Sequence, residues 1–203
     1  MEARAGIAAL ALGLACAACS ISPISTSSEV TQYDFGPPPA RKPAPLRQAL
    51  LVYDVSAPGW LDSPFIYYRL AYQDAARPLA YADSRWVGPP AELIGSRVRG
   101  RLAASGKGGI VHPADGARAS YALRVELDEF AQVFDAPKQS RAVVRLRASV
   151  LGRSALLAQK SFSVERPAST PDAEGGVRAL IEASDEAVDQ LVDWAVASLK
   201  DQS

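Results

Sequence analysis

Cysteine and histidine are nearly absent from this sequence. Its two cysteines, Cys16 and Cys19, both lie close to the N-terminus, and His112 is its one histidine. The rest of the chain cannot form a disulfide, so we expect its hydrophobic core alone to stabilise it. A metal ion or a catalytic base needs several neighbouring ligands or partners, which the sequence does not supply for His112. We therefore interpret His112 as a residue of a surface loop and predict no metal site.

An excess of charge of either sign is also absent, because 22 Lys and Arg residues balance 22 Asp and Glu residues. A nucleic-acid-binding protein normally carries an excess of basic residues, so we do not expect nucleic acid to be a partner. The chain has no G-x-S-x-G nucleophile elbow and no H-E-x-x-H zinc motif. The glycines of residues 105–109 lack the spacing of a phosphate-binding loop and follow a predicted helix, as a helix-ending loop does.

The neighbouring carboxylates Asp128 and Glu129 do not indicate catalysis either. Successive side chains of a strand point to opposite faces, so these two groups cannot work as a pair. We expect a solvated strand end at this position. The sequence thus predicts a protein that is not an enzyme and that needs no cofactor.

Residues 7–18 form an unbroken apolar run of the length found in secretion signals, too short to anchor the chain across a bilayer. The run ends in Ala17-Ala18-Cys19-Ser20, which resembles a bacterial lipobox, where small residues precede a cysteine that receives lipid. Cys16 is a rival site that fits the pattern no better and would shorten the signal. We predict a signal peptide at residues 1–18 and lipidation of Cys19.

The segment that follows Cys19 is small and polar, and it contains little that could fill a core. We interpret residues 19–29 as the lipidated N-terminus and a flexible tether. The remaining residues, 30–203, have the length of one domain and no internal repeats. We therefore predict a single domain there.

The centre of the predicted fold is a β-hairpin that leads into a helix. Residues 65–72 are rich in aromatic and β-branched side chains, and turn residues separate them from a second strand at 79–84. After Gly88-Pro89-Pro90, apolar residues recur four apart, as on one face of a helix: Ile94, Val98 and Leu102. We expect the arginines among them to form a solvated face: Arg97, Arg99 and Arg101.

Alternating apolar residues predict further strands, and a change of period predicts a last helix. The strands are expected near residues 30–35, 48–55, 119–128, 144–150 and 156–164. Phe130 breaks the alternation, which indicates a bulge near Asp128. From Val177 onward the apolar residues follow helical spacing. We predict an α+β fold, a two-layer sandwich whose mainly antiparallel sheet has two amphipathic helices packed on one face.

Aromatic side chains that are not needed in the core are the best candidates for contacts with a partner. We predict such contacts at Trp60 with its neighbour Leu61, at Tyr67 and at Trp86. For Trp86, a place in the core is an equally good interpretation.

A series of short motifs runs through the chain in a fixed order. It consists of Cys19, Tyr33-Asp34-Phe35, Pro58 through Leu61, Tyr68-Arg69, Leu79-Ala80-Tyr81, Arg85-Trp86, Pro89-Pro90, Leu93, the strand from Phe162 to Pro167, and Trp194. In their order and spacing, these motifs resemble the ABC-type transport auxiliary lipoproteins. These are the PqiC-like components that accompany MCE lipid-transport proteins in Gram-negative envelopes.

By this resemblance, the protein is expected to be a periplasm-facing lipoprotein of the outer membrane that does not hydrolyse ATP. Its expected partners are an MCE-domain protein and a permease/ATPase pair that moves phospholipids or other apolar molecules between membranes. Two other functions stay open: an outer-membrane assembly lipoprotein that partners a β-barrel protein, and an envelope hydrolase with an unrecognised site. Self-association also stays open.

Overall fold

The computed structural model describes residues 29–42, 45–105 and 108–200. The predicted signal peptide and both candidate lipidation sites, Cys16 and Cys19, lie outside these residues. The described residues form eight strands: β1 Thr31–Tyr33, β2 Leu50–Val52, β3 Phe65–Leu70, β4 Ala75–Trp86, β5 Ile110–Val111, β6 Tyr121–Ala136, β7 Gln139–Leu151 and β8 Leu156–Pro167. They also form three α-helices: α1 Ala71–Asp74, α2 Pro90–Ala103 and α3 Ala173–Lys200.

The strands belong to one mixed sheet that is built around β6. One edge of β6 pairs with β7, which pairs with β8, and both pairings are antiparallel. The other edge of β6 is shared, because β2 runs parallel to its first part and β3 runs parallel to its last part. β5 lies beyond β2, whereas β4 and then β1 lie beyond β3.

The predicted α+β fold and its antiparallel hairpin are confirmed. The bulge expected near Asp128 is present as a shift of register between Leu127 and Glu129. It lies inside β6 and turns both carboxylates to the same face, so the expectations of a strand end and of opposite faces for Asp128 and Glu129 are wrong. The parallel pairs of the described strands all lie on the side of β6 that β2 and β3 share, and the sequence patterns do not predict them. They depend on which strand lies beside β6, and this choice is decided by packing between residues that are far apart in the chain.

Both long helices pack on the same face of the sheet. α3 lies across β7 and β8, and α2 lies beside α3. Their apolar side chains join those of the strands in one core, in which Ile94, Leu146 and Leu180 are fully buried. We call the opposite face, which neither α2 nor α3 covers, the open face. Because strand side chains alternate, it carries these residues: Phe65, Tyr67, Arg69, Arg124, Glu126, Glu129 and Arg145.

The first turn of α3 approaches β6 closely because glycines stand where side chains would collide. A Cβ atom on Gly176 would lie 2.0 Å from Gln132 Oε1. Asp172 caps this turn, since its carboxylate accepts a hydrogen bond of 2.8 Å from the backbone N–H of Gly175. That hydrogen bond, together with one from the hydroxyl of Thr170, lowers the pKa of Asp172 below its usual value.

Ion pairs lie buried between α2 and α3, so the expectation of a solvated face is wrong for two of the three arginines. Arg97 Nε lies 3.2 Å from Asp185 Oδ1, and Arg101 Nε lies 2.9 Å from Asp189 Oδ1. The two arginine side chains are only 5% and 8% exposed. Arg99 alone points outward, as expected.

The same contact holds the N-terminal segment of the domain in place. Arg97 Nη2 donates hydrogen bonds of 2.7 and 3.1 Å to the carbonyls of Phe35 and Gly36. Arg41, which belongs to the segment itself, forms ion pairs with two aspartates of α3. Residues 35–41 are therefore fixed against both helices.

Candidate partner-contact surface

The four predicted contact residues divide between the surface and the core. Leu61 is fully buried and Trp86 is 1% exposed, so the prediction of direct contact is corrected for these two residues. Trp86 packs edge-on against Phe35 with ring centroids 5.6 Å apart. Of the two interpretations of Trp86, the structure therefore favours the place in the core. Trp60 and Tyr67 are partly exposed, and contact with a partner stays a prediction for them.

Trp60 and Leu61 are neighbours in the chain, but their side chains point to opposite sides of the sheet. Trp60 and Leu61 both belong to a short 3-10 turn, Gly59–Leu61, which begins after Pro58. The Leu61 side chain joins the core, while the ring of Trp60 contacts Tyr67 on the open face. The alternation of β3 turns Tyr67 outward, whereas the neighbouring Ile66 is fully buried.

Three aromatic side chains of the open face are in contact, and we call Trp60, Tyr67 and Phe65 the aromatic row. The ring centroids of Trp60 and Tyr67 are 5.2 Å apart, and those of Tyr67 and Phe65 are 6.1 Å apart, both in edge-to-face geometry. The hydroxyl of Tyr67 also lies 3.2 Å from Ser63 Oγ. Phe65 is 38% exposed, so one end of the row is open to solvent.

Arginine side chains stack on both ends of the aromatic row. The guanidinium carbon of Arg69 lies 5.2 Å from the ring centroid of Trp60, and that of Arg85 lies 4.5 Å from the ring centroid of Phe65. Arg69 Nε is also 3.2 Å from Glu129 Oε1 on β6. These contacts hold the row in one conformation, because each exposed cation–π stack stabilises by about 0.5–1 kcal/mol. Sequence reasoning found Trp60 and Tyr67 but missed Phe65 and both arginines, although the alternation of β3 places Phe65 and Arg69 on the same face.

A second group of polar side chains lies inside the protein, below the start of α3. The hydroxyl of Tyr81 donates to Gln132 Oε1 at 2.7 Å, and Gln132 Nε2 lies 2.8 Å from Ser140 Oγ. Burial, with the added effect of Tyr68 and Asp172, raises the pKa of Tyr81 far above its ordinary value. The hydroxyl therefore stays neutral and acts as a hydrogen-bond donor at the edge of the core.

His112 lies at the surface, where it precedes the short turn Pro113–Asp115. Its Nε2 is 3.2 Å from Asp54 Oδ1, and its Nδ1 accepts a hydrogen bond from the backbone N–H of Ala114. In the described part of the chain, no group of three or more His, Cys, Asp or Glu side chains could hold a metal ion. No α-helix within the described ranges has both the length and the apolar character that crossing a membrane requires.

Fold and surface together define an α+β sandwich domain that presents aromatic and arginine side chains on a sheet face free of long helices. The family model for the ABC-type transport auxiliary lipoprotein component matches residues 33–192, which is most of the chain. The protein therefore belongs to this family, and the resemblance of its motifs is confirmed. It is an auxiliary lipoprotein of a transport system. No curated protein matches the chain.

Solved structures share the fold. The crystal structure of protein XCC0632 from Xanthomonas campestris is similar with a TM-score of 0.72 and 23% sequence identity, over 85% of this chain and 98% of that one. A second crystal structure, of an uncharacterized protein, is similar with a TM-score of 0.62 and 13% identity, over 81% of this chain and 97% of that one. At such identities the likeness concerns the fold alone.

Proposed function

We propose that the protein is a lipid-anchored, non-catalytic docking component of an ABC/MCE-type lipid transport system. The observation that carries this proposal is the aromatic row, which remains partly exposed on a rigid sheet face in a member of a transport auxiliary family. Large aromatic side chains supply much of the binding energy of protein interfaces. The proposed partner is an MCE-domain protein that works with a permease/ATPase pair near the outer membrane.

In this proposal, lipid on Cys19 keeps the domain close to the outer membrane. The first strand begins at Thr31, and residues 35–41 are fixed against α2 and α3. About a dozen residues therefore separate the anchor from the sheet, and a chain of that length reaches about 40 Å at most. So short a connection raises the effective concentration of the domain at a partner beside the same membrane.

A role without catalysis is part of the proposal. The sequence lacks catalytic motifs, His112 begins a surface turn, and Tyr81 is held neutral in the core. The test replaces His112 by alanine, Asp128 by asparagine and Glu129 by glutamine, whose amide oxygen can still accept the hydrogen bond from Arg69 that supports the aromatic row. It measures the resistance of the envelope to detergent in cells that depend on the protein. We expect resistance to be retained. Its loss, with normal amounts of folded protein, would favour an envelope hydrolase.

The docking surface is tested by recovering partners of the tagged full-length protein from its native membranes. The variant replaces Trp60 and Tyr67 by alanine, and the matched control replaces Tyr72, which is 41% exposed and lies outside the aromatic row. We expect the double variant to lose at least about tenfold of the recovered MCE-domain protein, as removal of aromatic hot spots does. The control should change recovery less than about twofold.

Two results of this experiment would count against the proposal. Equal recovery by the double variant and the control would show that the aromatic row is not the docking surface. Recovery of a β-barrel assembly protein in place of an MCE-domain protein would favour the outer-membrane assembly function instead. Circular dichroism of each variant verifies that the fold is unchanged.

A further inference from the structure

The open face carries more arginine than the aromatic row alone explains. In addition to the two stacks on the row, the guanidinium carbon of Arg124 lies 4.8 Å from the ring centroid of Tyr53. Arg145 is exposed on β7, directly opposite Glu129 of β6. Arginine and aromatic side chains together are the residues enriched in the centres of protein interfaces.

The charged side chains of β6 and β7 balance in number, four acids against four arginines, but not every arginine has an acidic partner. Glu126 and Asp128 both pair with Arg147, and Glu129 pairs with Arg69 of β3. Asp135 likewise pairs with Arg141. After these pairs are formed, Arg124 and Arg145 remain, and neither forms an ion pair with another residue of the part of the chain that the structure describes. Among the described residues these two guanidinium groups find no hydrogen-bond acceptor, so their N–H donors can bind an external one.

The two guanidinium groups are spaced so that one extended peptide could reach both. Arg124 pairs in register with Ser149, and Arg145 pairs with Glu129. Their backbone positions are thus five residues apart along β6, with one bulge between them, which is about 13–17 Å at about 3.3 Å per residue. In an extended peptide, residues four apart span about 13 Å and present their side chains on the same face. Arg145 is also linked to the aromatic row through Glu129 and Arg69.

We propose that the open face binds an extended, acidic segment of a protein partner, whose carboxylates pair with Arg124 and Arg145 and whose apolar side chains contact the aromatic row. This inference deepens the proposed function and rests on it for the identity of the partner as an MCE-domain protein. Carboxylates suit these sites because an arginine fork binds them through two hydrogen bonds. An anionic membrane surface fits less well, because a flat array of negative charge would meet Glu126, Asp128 and Glu129 at the same time. A peptide can instead place single carboxylates at the two unpaired arginines.

The test uses a photo-crosslinking amino acid, p-benzoylphenylalanine, in the full-length protein in its native membranes. It replaces Ser163, which is exposed and lies opposite Arg145 on β8. The control replaces Ser96, which is exposed on α2, on the other side of the sheet. Mass spectrometry identifies the crosslinked peptide. We expect the Ser163 position to capture a peptide that has at least two Asp or Glu residues four apart, and the Ser96 position not to capture it.

Charge reversal then tests whether these arginines are responsible. The variant Arg124→Glu with Arg145→Glu should lose at least tenfold of the crosslink, and reversing the partner's acidic residues to lysine should restore it. A second variant, with Gln at both positions, keeps the test valid if reversal disturbs the sheet. The matched control reverses Arg118 and Arg153, which are exposed in loops outside the strands. That control should change the crosslink less than twofold.

The outcomes separate this inference from the proposed function. Capture of an acidic segment of a protein that is not an MCE protein, with loss on charge reversal, would support the inference and contradict the proposed partner. A crosslink that survives charge reversal would overturn the inference. So would a crosslinked peptide without carboxylates, a lipid adduct at Ser163, or a crosslink to a second copy of this chain.

Discussion

Replacement of Arg97 by methionine should destabilise the protein severely. The Arg97 side chain is 5% exposed and lies 3.2 Å from Asp185, which is 11% exposed. It also donates to the carbonyls of Phe35 and Gly36. The variant leaves a buried carboxylate without its partner and two carbonyls without their donor. Breaking a buried pair in this way costs about 3–5 kcal/mol, a large part of the roughly 5–15 kcal/mol by which a domain is stable.

The pH dependence of this loss identifies its cause. Burial raises the pKa of Asp185, against the lowering effect of Arg97 and Arg101. Without Arg97 the carboxyl should take up a proton still more readily in the folded state. A carboxyl with a raised folded-state pKa loses stability as the pH rises from its unfolded pKa through its folded one. The loss of stability caused by Arg97→Met should therefore be largest at neutral pH and become smaller as the pH falls towards the ordinary pKa of a carboxyl.

Urea unfolding, monitored by far-UV circular dichroism, measures the free energy of unfolding of the wild type and of each variant. The matched control is Arg99→Met, because Arg99 is partly exposed and its pair should contribute about 1 kcal/mol or less. The double variant Arg97→Met with Asp185→Leu should recover the part of the loss that comes from the buried carboxylate, since apolar residues can replace a buried pair at little cost. The part that comes from the two carbonyls should remain. A loss below about 1 kcal/mol for Arg97→Met, or a loss that does not change with pH, would refute this reasoning.

Two further predictions concern the start of α3. Replacing Asp172 by alanine should cost about 1 kcal/mol through loss of the cap on Gly175. Because the pKa of Asp172 is lowered in the folded state, this stabilisation is present above its unfolded pKa and should disappear as the pH falls through its folded pKa. In urea unfolding at a series of pH values, the free energies of unfolding of wild type and variant should therefore become equal in acid. Gly176→Ala should cost about 1–3 kcal/mol or more, because its Cβ collides with Gln132. Gly100→Ala is the control, because a Cβ atom at this position of α2 meets open space, and it should stabilise the protein by about 0.5–1 kcal/mol. An equal loss of stability in both glycine variants, measured by thermal unfolding, would contradict the steric explanation.

Local patterns were sufficient to predict the hairpin, the bulge on β6 and α3. They failed at the α2–α3 contact because the partners lie far apart in the chain. Arg97 and Arg101 are four residues apart, and so are Asp185 and Asp189, so that the two helices can meet along one line of opposite charges. The matching spacing of the two arginines and the two aspartates is the sequence feature that indicates this contact. A solvated charged face has the same spacing, so the spacing does not separate the two interpretations.

The sequence predicts only part of the contact surface, because the rest depends on how strands pair. An aromatic residue in a loop, such as Trp60, is readily recognised as a candidate, whereas nothing in the local pattern shows that its neighbour Leu61 turns into the core. Trp86 reaches the core because the β3–β4 pairing contains an irregularity between Phe65 and Tyr67. Such a shift changes which side of a strand is buried, and no local pattern shows where it occurs.

Mass spectrometry of the tagged full-length protein, purified from its native membranes, tests the central proposal most directly. We predict a mature N-terminus that begins at acylated Cys19 and an MCE-domain protein recovered with it, together with its permease and ATPase. An unacylated mature protein, or one recovered without any protein of such a transport system, would contradict the proposal.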